Sequence, residues 1–264
     1  MATPNPIDLN YRVDGPPGAP VLVLSHALGL SLAMWDPQVE SLSRTFRVLR
    51  YDHRGHGGSP VPAGPYSIAE LGRDLFHLLD RLGLERVSFC GLSLGGMVGM
   101  WVASTAPERI DRLVLCCTAT RMARPEDFAA RARTVREQGM EAIADSLIGR
   151  WFTPAFPASD PRAVAGVRAM LLSIPREGYA GACEAIAQMD LRGELPRINA
   201  PTLVIGAEQD QSTPPEESQE IARGIPGARL VVIPDAAHLA NIEQPDAVTN
   251  KIVDHLLEVR HESR

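Results

Sequence analysis

The sequence predicts an α/β protein with a mostly parallel, doubly wound sheet and an inserted helical cap. Short apolar runs that are typical of buried strands alternate with helical patterns along most of the chain. This alternation predicts parallel strands joined by helices that cover both faces of one sheet. One long stretch breaks the alternation with helices alone, and it predicts the cap. At 264 residues, the chain has the length of a single domain of this class with an insertion.

Six apolar runs predict the strands, because each is short, continuous and bounded by turn-forming residues. They are residues 21–24, 46–51, 87–90, 113–117, 202–205 and 230–233. Helical patterns lie between or after them, at residues 68–84, 97–103, 214–225 and 245–259. The first of these helices has a clear 3.6-residue period. Its apolar positions are Leu71, Leu75, Leu78, Leu79 and Leu82.

The stretch from about residue 121 to residue 196 shows no strand pattern. Four helical patterns fill it, at residues 126–137, 140–151, 161–173 and 177–189, and prolines separate them. We interpret this stretch, residues 121–196, as a helical cap inserted into a core domain formed by residues 1–120 and 197–264. A cap in this position is expected to lie over the active site and to shape the substrate pocket.

Composition and charge argue against several classes of function. The net charge is −6 and no basic cluster is visible, so we expect no nucleic-acid partner. The apolar runs are too short to span a bilayer, and the first residues lack the basic and apolar segments of a signal peptide. We therefore expect a cytoplasmic protein with reduced, buried thiols and no membrane partner. The four cysteines, which show no metal-binding spacing, are Cys90, Cys116, Cys117 and Cys183.

The motif Gly91-Leu-Ser93-Leu-Gly95-Gly96 predicts a nucleophilic serine. It directly follows a predicted strand and directly precedes a predicted helix, the context in which G-x-S-x-G forms a sharp turn that exposes the serine hydroxyl. The helix that follows points its N–H groups at the site, which favours negative charge there. The alternative is an ordinary loop serine between a strand and a helix.

A serine hydroxyl needs a base within hydrogen-bond reach to become a good nucleophile. His238 and Asp210 each follow a predicted strand, where a parallel sheet delivers its functional loops. We predict that His238 is the base and that Asp210 orients it, since the chain order Ser, Asp, His suits this type of sheet. Glu208 and Asp235 are competing carboxylates, and Asp210 has the alternative role of a turn or N-cap residue.

Acyl transfer also needs N–H donors for the negatively charged oxygen of the tetrahedral intermediate. We predict one donor at the backbone N–H of Leu94, directly after the nucleophile. We predict the second at the backbone N–H of Leu28, in the loop that follows the strand at residues 21–24. The alternative for this loop is a plain connection to the next helix.

Charged residues and glycines are dense in the stretch Asp52-His-Arg54-Gly-His56-Gly-Gly58-Ser59, after the second predicted strand. We interpret the stretch as a rigid, hydrogen-bonded turn. A metal site formed by Asp52, His53 and His56 is the alternative, but no further ligand cluster completes it. We expect no metal ion and no cofactor in this protein.

These motifs together resemble the α/β-hydrolase superfamily, in the order in which that superfamily carries them. The resemblance covers nearly the whole chain and implies the same three roles for Ser93, Asp210 and His238, with the N–H groups of Leu28 and Leu94 as oxyanion donors. The early loop departs from the usual His-Gly pair, because it has His26-Ala27. A serine at position 93 argues against the branches that use aspartate there, the haloalkane dehalogenases and epoxide hydrolases.

Within the superfamily, the chain is similar to the 3-oxoadipate enol-lactonases. The resemblance implies hydrolysis of an enol-lactone to 3-oxoadipate in the β-ketoadipate pathway of aromatic degradation, with a small lactone as the binding partner. The similar stretches are residues 25–29 with Met34-Trp35, 91–97, 178–183 with 189–191, and 210–215. The cap stretch is the most specific, since many hydrolases share the sheet motifs.

The implied substrate carries a carboxylate, and an arginine fork in the cap would suit it. Arg150 beside Trp151 is our preferred candidate, because a tryptophan can line the pocket. A broad esterase or perhydrolase with the same triad is the alternative enzyme, and a small-molecule receptor of this fold is the alternative from another class. The oligomeric state stays open. The other candidate arginines are Arg121, Arg133, Arg136, Arg162, Arg168 and Arg176.

Overall fold

The computed structural model describes residues 5–258 and contains one seven-stranded sheet. Its strands are β1 (Tyr11–Asp14), β2 (Val21–Ser25), β3 (Arg47–Tyr51), β4 (Val87–Leu92), β5 (Ile110–Cys116), β6 (Thr202–Ala207) and β7 (Arg229–Ile233). Their order across the sheet is β1-β3-β2-β4-β5-β6-β7. All neighbouring pairs are parallel except β1 and β3, so only an edge strand is antiparallel.

Helices connect the strands and cover the sheet. Those of the core are α1 (Asp36–Leu42), α2 (Ile68–Arg81), α3 (Leu94–Thr105), α9 (Pro215–Gly224), α10 (Ala240–Glu243) and α11 (Pro245–Leu257). Between β5 and β6 lie α4 (Pro125–Gln138), α5 (Glu141–Trp151), α6 (Phe156–Ser159), α7 (Pro161–Leu172) and α8 (Arg176–Gln188). No helix within residues 5–258 is long and apolar enough to cross a bilayer.

The predicted fold class is confirmed, and the six predicted strands are present with ends that move by up to three residues. The antiparallel strand β1 escaped prediction because three of its four residues are exposed, so it shows no apolar run. The short helices α1, α6 and α10 were not predicted either. The predicted end of the last helix, at residue 259, lies outside the described residues.

Helix α2 illustrates how local sequence fixes an element that supports the site. Ser67 caps its N-terminus by accepting the N–H of Glu70, and the Ser67 hydroxyl donates to the Glu70 carboxylate at 2.7 Å. The predicted leucine face is buried: Leu71, Leu75 and Leu78 are each at most 1% exposed. The helix therefore packs on the sheet, as its period predicts.

The helices between β5 and β6 contact the core at closely packed backbones. In α8, Gly178 touches Gly55, and a Cβ atom added at Gly178 would overlap the Gly55 carbonyl group. Nearby, the backbone N–H of Tyr66 donates to the carbonyl of Gly181, also in α8, at 3.2 Å. Helix α8 is thus seated against two loops of the core.

Ion pairs of Arg136, in α4, also hold α8 in this position. Its guanidinium binds Glu177 at 2.8 Å and Glu184 at 2.5 Å, both on α8. Glu177 in turn accepts the backbone N–H of Gly64, in the core, at 3.1 Å. The pKa of the Glu177 carboxyl is held below its usual value, chiefly by its hydrogen bond with Arg136. These bonds join α4, α8 and the core loop in one network.

We predict that Gly178→Ala lowers the free energy of unfolding by about 1–3 kcal/mol, because the new methyl group forces two packed backbones apart. Gly149→Ala is the matched control, since Gly149 is a solvent-exposed residue of α5 with nothing near its missing Cβ. The control is expected to leave stability unchanged or to raise it by up to about 1 kcal/mol. Urea unfolding of both variants measures the difference, and a wild-type midpoint for Gly178→Ala would contradict this account of the contact.

Candidate active site

Ser93 occupies a sharp turn between strand β4 and helix α3. Its backbone has φ 56° and ψ −115°, in the left-handed region that non-glycine residues rarely adopt. Two hydrogen bonds hold this backbone: the Ser93 N–H donates to the Cys116 carbonyl at 3.0 Å, and the Thr118 hydroxyl donates to the Ser93 carbonyl at 2.8 Å. Such strain, about 1–3 kcal/mol per residue, is typical of functional turns.

The glycines around Ser93 allow this turn because their neighbours leave no space for a side chain. A Cβ atom at Gly91 would overlap the carbonyl of Gly95, and one at Gly95 would overlap the carbonyl of Ser25. Ser25 pairs with Gly91 in the parallel register of β2 and β4. The loop that starts after Ser25 therefore lies beside the first turn of α3.

His238 and Asp210 meet at the carboxyl ends of the neighbouring strands β6 and β7. The distance from His238 Nδ1 to Asp210 Oδ2 is 2.8 Å, and the two residues are each 3% exposed. The Thr213 hydroxyl also donates to Asp210 Oδ2 at 2.8 Å. The other carboxylate oxygen, Oδ1, accepts the N–H groups of Ser212 and Thr213 at 2.7 and 2.9 Å. This arrangement fixes the orientation of the imidazole ring.

The pKa of the Asp210 carboxyl is lowered by its partners. Burial opposes ionisation of this group, but the neighbouring His238 and the donors of Thr213 outweigh that effect. Asp210 is therefore a buried carboxylate that carries a full set of donors. The competing carboxylates are elsewhere: Asp235 is exposed, and Glu208 accepts the N–H of Asp235 at 3.1 Å.

Ser93 and His238 line the same cavity, which has a volume of about 300 Å³. Among the described residues, neither the Ser93 hydroxyl nor Nε2 of His238 has a hydrogen-bond partner, so both are available to a bound molecule. Hydrogen bonds between a nucleophile and its base often form only when substrate is present. The structure thus brings together Ser93, His238 and Asp210, the three residues that the sequence singled out. The hydrogen bond between His238 and Asp210 is formed, and the one between Ser93 and His238 is not.

The loop after β2 presents the N–H of Leu28, and Leu28 lines the cavity with Ser93. Leu94 is the first residue of α3, so its N–H has no acceptor inside the helix. Within residues 5–258, neither N–H has a protein acceptor. Both predicted donors are therefore free, and they lie on elements that touch each other.

Two buried histidines fix the backbone on either side of Leu28. His26 donates from Nδ1 to the Ala27 carbonyl at 2.8 Å and accepts the His53 N–H at Nε2, at 3.0 Å. His56 accepts the Gly29 N–H at Nε2, at 3.2 Å, and donates from Nδ1 to the Arg54 carbonyl at 3.1 Å. Because a backbone N–H can only donate, both rings must be neutral in this arrangement.

The turn at residues 52–59, which supplies His53 and His56, is held by hydrogen bonds, as the sequence predicts. Asp52 accepts the N–H groups of Leu32 and Gly58 at 2.7 and 2.8 Å. Arg54 forms buried ion pairs with Asp74 at 2.6 Å and Glu70 at 3.0 Å on α2. No group of three His, Cys, Asp or Glu side chains within the described residues is arranged to hold a metal ion.

The far wall of the cavity comes from the helices between β5 and β6. Arg150 and Trp151 both line it, with Arg150 exposed and Trp151 buried. Of the seven arginines proposed from the sequence, Arg150 alone is on this wall among the described residues. Arg136 is engaged by Glu177 and Glu184, and Arg168 is paired with Asp145 at 3.2 Å.

Sequence reasoning missed two arginines of the cavity wall, Arg124 and Arg131. Arg131 lies in α4 among other charged residues, and nothing in the sequence shows which side of that helix faces the cavity. Also missed was Glu243, whose carboxylate accepts the N–H of Ala237 at 2.9 Å and that of Thr153 at 3.1 Å. Glu243 thereby ties the loop that carries His238 to the end of α5.

The position of His255 and His261 near the C-terminus predicts that both lie in a solvated helix. The structure corrects this at His255, which is 2% exposed and whose Nε2 lies 3.1 Å from the Pro201 carbonyl. The last predicted helix is therefore packed on the core at this residue. His261 lies outside the described residues.

Comparison with known proteins agrees with this geometry. The family profile described as the alpha/beta hydrolase fold matches residues 20–245. The chain belongs to the α/β-hydrolase family. It is 39% identical over 250 residues to 3-oxoadipate enol-lactonase 2 of Acinetobacter baylyi, with 95% of this chain and 93% of that protein covered. RutD of Stutzerimonas stutzeri, a protein named for carbamate hydrolysis, is 33% identical, with 95% and 97% covered.

One solved structure is similar to this α/β-hydrolase over 95% of the chain. The crystal structure of the enol-lactonase from Burkholderia xenovorans has a TM-score of 0.93 and a sequence identity of 46%. The comparison covers 95% of this chain and 96% of that one. The likeness therefore includes the helices between β5 and β6 as well as the sheet.

The neutral histidines of this α/β-hydrolase predict a loss of stability in acid. Burial, and then the neighbouring His26, lower the pKa of His56 to about 3. The unfolded chain takes up this proton near pH 6.5 and the folded chain does not, so stability is present above pH 6.5 and falls as the pH drops toward 3. The slope per histidine is up to about 1.4 kcal/mol per pH unit.

We predict that His56→Asn makes the fall in unfolding free energy between pH 6.5 and pH 4 shallower than in the wild type. Urea unfolding across this range measures the two slopes. The comparison at pH 8 is the control, because histidine protonation contributes to neither state there. Parallel curves for the two proteins from pH 8 to pH 4 would contradict a neutral, buried His56.

Proposed function

We propose that this α/β-hydrolase is a carboxylic ester hydrolase that opens 3-oxoadipate enol-lactone to 3-oxoadipate. The observation that carries the proposal is the buried Asp210–His238 hydrogen bond beside Ser93, with the serine and the histidine on the wall of one cavity. In this proposal Ser93 is the nucleophile, His238 the general base, and Asp210 the residue that orients the base.

The chemistry follows from where these groups lie. The Ser93 oxygen attacks the lactone carbonyl while His238 takes its proton. The N–H groups of Leu28 and Leu94 bind the oxygen that becomes negatively charged. The ring C–O bond then breaks, the enol oxygen accepts the proton from His238, and the enol becomes a ketone. A water molecule that His238 deprotonates then attacks the acyl-enzyme. The bond between the Ser93 oxygen and the acyl carbon breaks, the acid is released, and the proton on His238 returns to the Ser93 oxygen.

The choice of substrate is supported by the relatives and by the charge of the cavity. The enol-lactonases of Acinetobacter baylyi and Burkholderia xenovorans match this chain at 39% and 46% identity, above the 33% of RutD. The cavity wall carries three arginines against two carboxylates, in a chain with more acidic than basic residues. This local excess of positive charge suits an anionic lactone. The arginines are Arg124, Arg131 and Arg150, and the carboxylates are Asp127 and Glu217.

The proposal places the protein in the cytoplasm, in the β-ketoadipate pathway of aromatic degradation, with its lactone as the binding partner. It assigns no role to nucleic acid, to a membrane or to a cofactor. The second candidate, carbamate hydrolysis, is favoured by the similarity to RutD over 95% of the chain. It would use the same three residues on a different carbonyl.

We expect rapid turnover of freshly generated 3-oxoadipate enol-lactone, slow turnover of p-nitrophenyl acetate, and loss of both activities in Ser93→Ala. Removal of the nucleophile is expected to lower kcat by about 10⁵–10⁶-fold. Loss of the lactone absorbance measures the reaction. Negligible lactone turnover together with fast ester or carbamate turnover would reject the substrate, while full activity in Ser93→Ala would reject the mechanism.

We expect Asp210→Asn to lower kcat for the lactone by about 10³–10⁴-fold, because an amide no longer fixes the required tautomer of His238. Asp235→Asn is the matched control, since Asp235 is an exposed carboxylate in the same loop as His238. Steady-state kinetics of both variants test the assignment. Equal effects of the two substitutions would contradict a specific role for Asp210.

A further inference from the structure

The loop that carries His238 has no regular secondary structure of its own. It comprises residues 234–239 (the His238 loop), between strand β7 and helix α10. Within it, Asp235 has φ 50°, in the left-handed region that non-glycine residues rarely adopt. Residues 236–239 are at most 3% exposed. Because this buried loop contains no helix or strand, the position of its backbone depends on hydrogen bonds to other parts of the chain.

Two hydrogen bonds hold the backbone on either side of His238. The N–H of Ala237, the residue before it, donates to Glu243 Oε2 at 2.9 Å. The N–H of Leu239, the residue after it, donates to the carbonyl of Trp151 at 3.0 Å. Trp151 is the last residue of α5 and lines the same cavity as His238. The backbone on one side of the base is therefore bonded to the far wall of the cavity, and on the other side to Glu243.

Glu243 is a buried residue that binds the same end of α5. Its Oε1 accepts the N–H of Thr153 at 3.1 Å, and the Thr153 hydroxyl donates to Oε1 as well. Thr153 follows Trp151 by two residues, just beyond the end of the helix. The backbone N–H of Glu243 donates to the carbonyl of Leu239 at 3.0 Å, so Glu243 is itself fixed to the His238 loop. One carboxylate thus holds the His238 loop with one oxygen and the end of α5 with the other.

The donors to the Glu243 side chain are all neutral. They are the two backbone N–H groups of Ala237 and Thr153 and one hydroxyl. Removal of a carboxylate oxygen would take the acceptor from a buried N–H, and the backbone would have to move to find another acceptor or water. The bonds of Glu243 therefore fix two backbone segments relative to each other, and one of these segments carries the base.

We propose that Glu243 is a positioning residue for the reaction, which fixes the backbone of His238 relative to α5 and so places Nε2 within reach of Ser93. Asp210 holds Nδ1 of the ring at 2.8 Å, but the place of the whole ring still depends on the backbone that carries it. A misplacement of about 1 Å can lower a rate by about 100-fold. The inference rests on the roles of Ser93 and His238 in the proposed function and extends them to a residue outside the cavity wall.

The first test is Glu243→Gln, which keeps the size of the side chain and replaces one carboxylate oxygen by an N–H donor. The amide cannot accept the Ala237 N–H at one end and the Thr153 N–H at the other. We expect kcat for p-nitrophenyl acetate and for the 3-oxoadipate enol-lactone to fall by about 10–100-fold, with KM within about threefold of the wild type.

Glu137→Gln is the matched control, since Glu137 is an exposed glutamate of α4. It is expected to change neither kcat nor KM by more than about twofold. An equal fall of kcat in Glu137→Gln and Glu243→Gln would overturn the proposal.

A count of folded active sites separates positioning from a purely structural role. A fluorophosphonate labels Ser93, whose oxygen displaces the fluoride, so complete labelling gives the concentration of competent sites. A purely structural role of Glu243 would lower this concentration and leave kcat per labelled site at the wild-type value. We expect kcat per labelled site to fall in Glu243→Gln. A wild-type value, or a loss confined to KM, would overturn the proposal.

Thr153 provides a second test that leaves the Glu243 carboxylate in place. Thr153→Val removes the hydroxyl donor and is expected to lower kcat per labelled site by about 3–10-fold, the loss of one hydrogen bond. Thr153→Ser keeps the hydroxyl and is expected to recover most of that loss. Equal kcat values for the two variants would overturn the link between Glu243 and α5.

Ser93→Ala, assayed with p-nitrophenyl acetate beside these variants, separates this inference from the proposed function. If Ser93→Ala is inactive and Glu243→Gln has the wild-type kcat per labelled site, only the role of Glu243 is overturned. If Ser93→Ala keeps full ester turnover, the proposed mechanism fails and the role of Glu243 fails with it. If the lactone is not turned over, the substrate is rejected, and the fall of kcat for the ester in Glu243→Gln still supports the role of Glu243.

Discussion

The left-handed backbone of Ser93 depends on close packing among strand β4, helix α3 and the loop that follows β2. Its N–H and carbonyl are bonded to Cys116 and Thr118, and Gly95 fits against the Ser25 carbonyl because it has no side chain. The packing that sustains the strained turn also brings the Leu28 loop to the start of α3. The position of the Ser93 hydroxyl and the position of the Leu28 and Leu94 N–H groups therefore depend on the same packing.

The buried polar groups around this turn differ in their charge state. Beneath the Leu28 loop, His26 and His56 are neutral, since each accepts a backbone N–H and burial lowers the pKa of each. Beside the cavity, Asp210 is ionised, because three donors and His238 stabilise its charge. His26, His56 and Asp210 are all buried, yet the two histidines are neutral and the aspartate is charged. Their hydrogen-bond partners account for this difference in ionisation.

The sequence was informative wherever the signal is local. Continuous apolar runs predicted six strands, and the glycine pattern around Ser93 predicted a turn that the backbone angles show. Asp210 and His238 were found because parallel strands end at one edge of a sheet, so residues far apart in the chain converge there. Strand β1 was missed because its exposed residues show no apolar pattern. Arg131 was missed because α4 is rich in charged residues, and its sequence does not indicate which side of the helix faces the cavity.

The sequence by itself determined the order of the six buried strands and the longer helices, the serine turn and the identity of the residues that converge on it. Only the tertiary structure decided that His56 supports the Leu28 loop, that Glu243 joins the His238 loop to α5, and that Arg131 faces the cavity. The physical reason is that periodicity and turn chemistry act over a few neighbouring residues. Hydrogen bonds between distant loops, and the rotation of one helix against another, depend on packing that no single segment encodes.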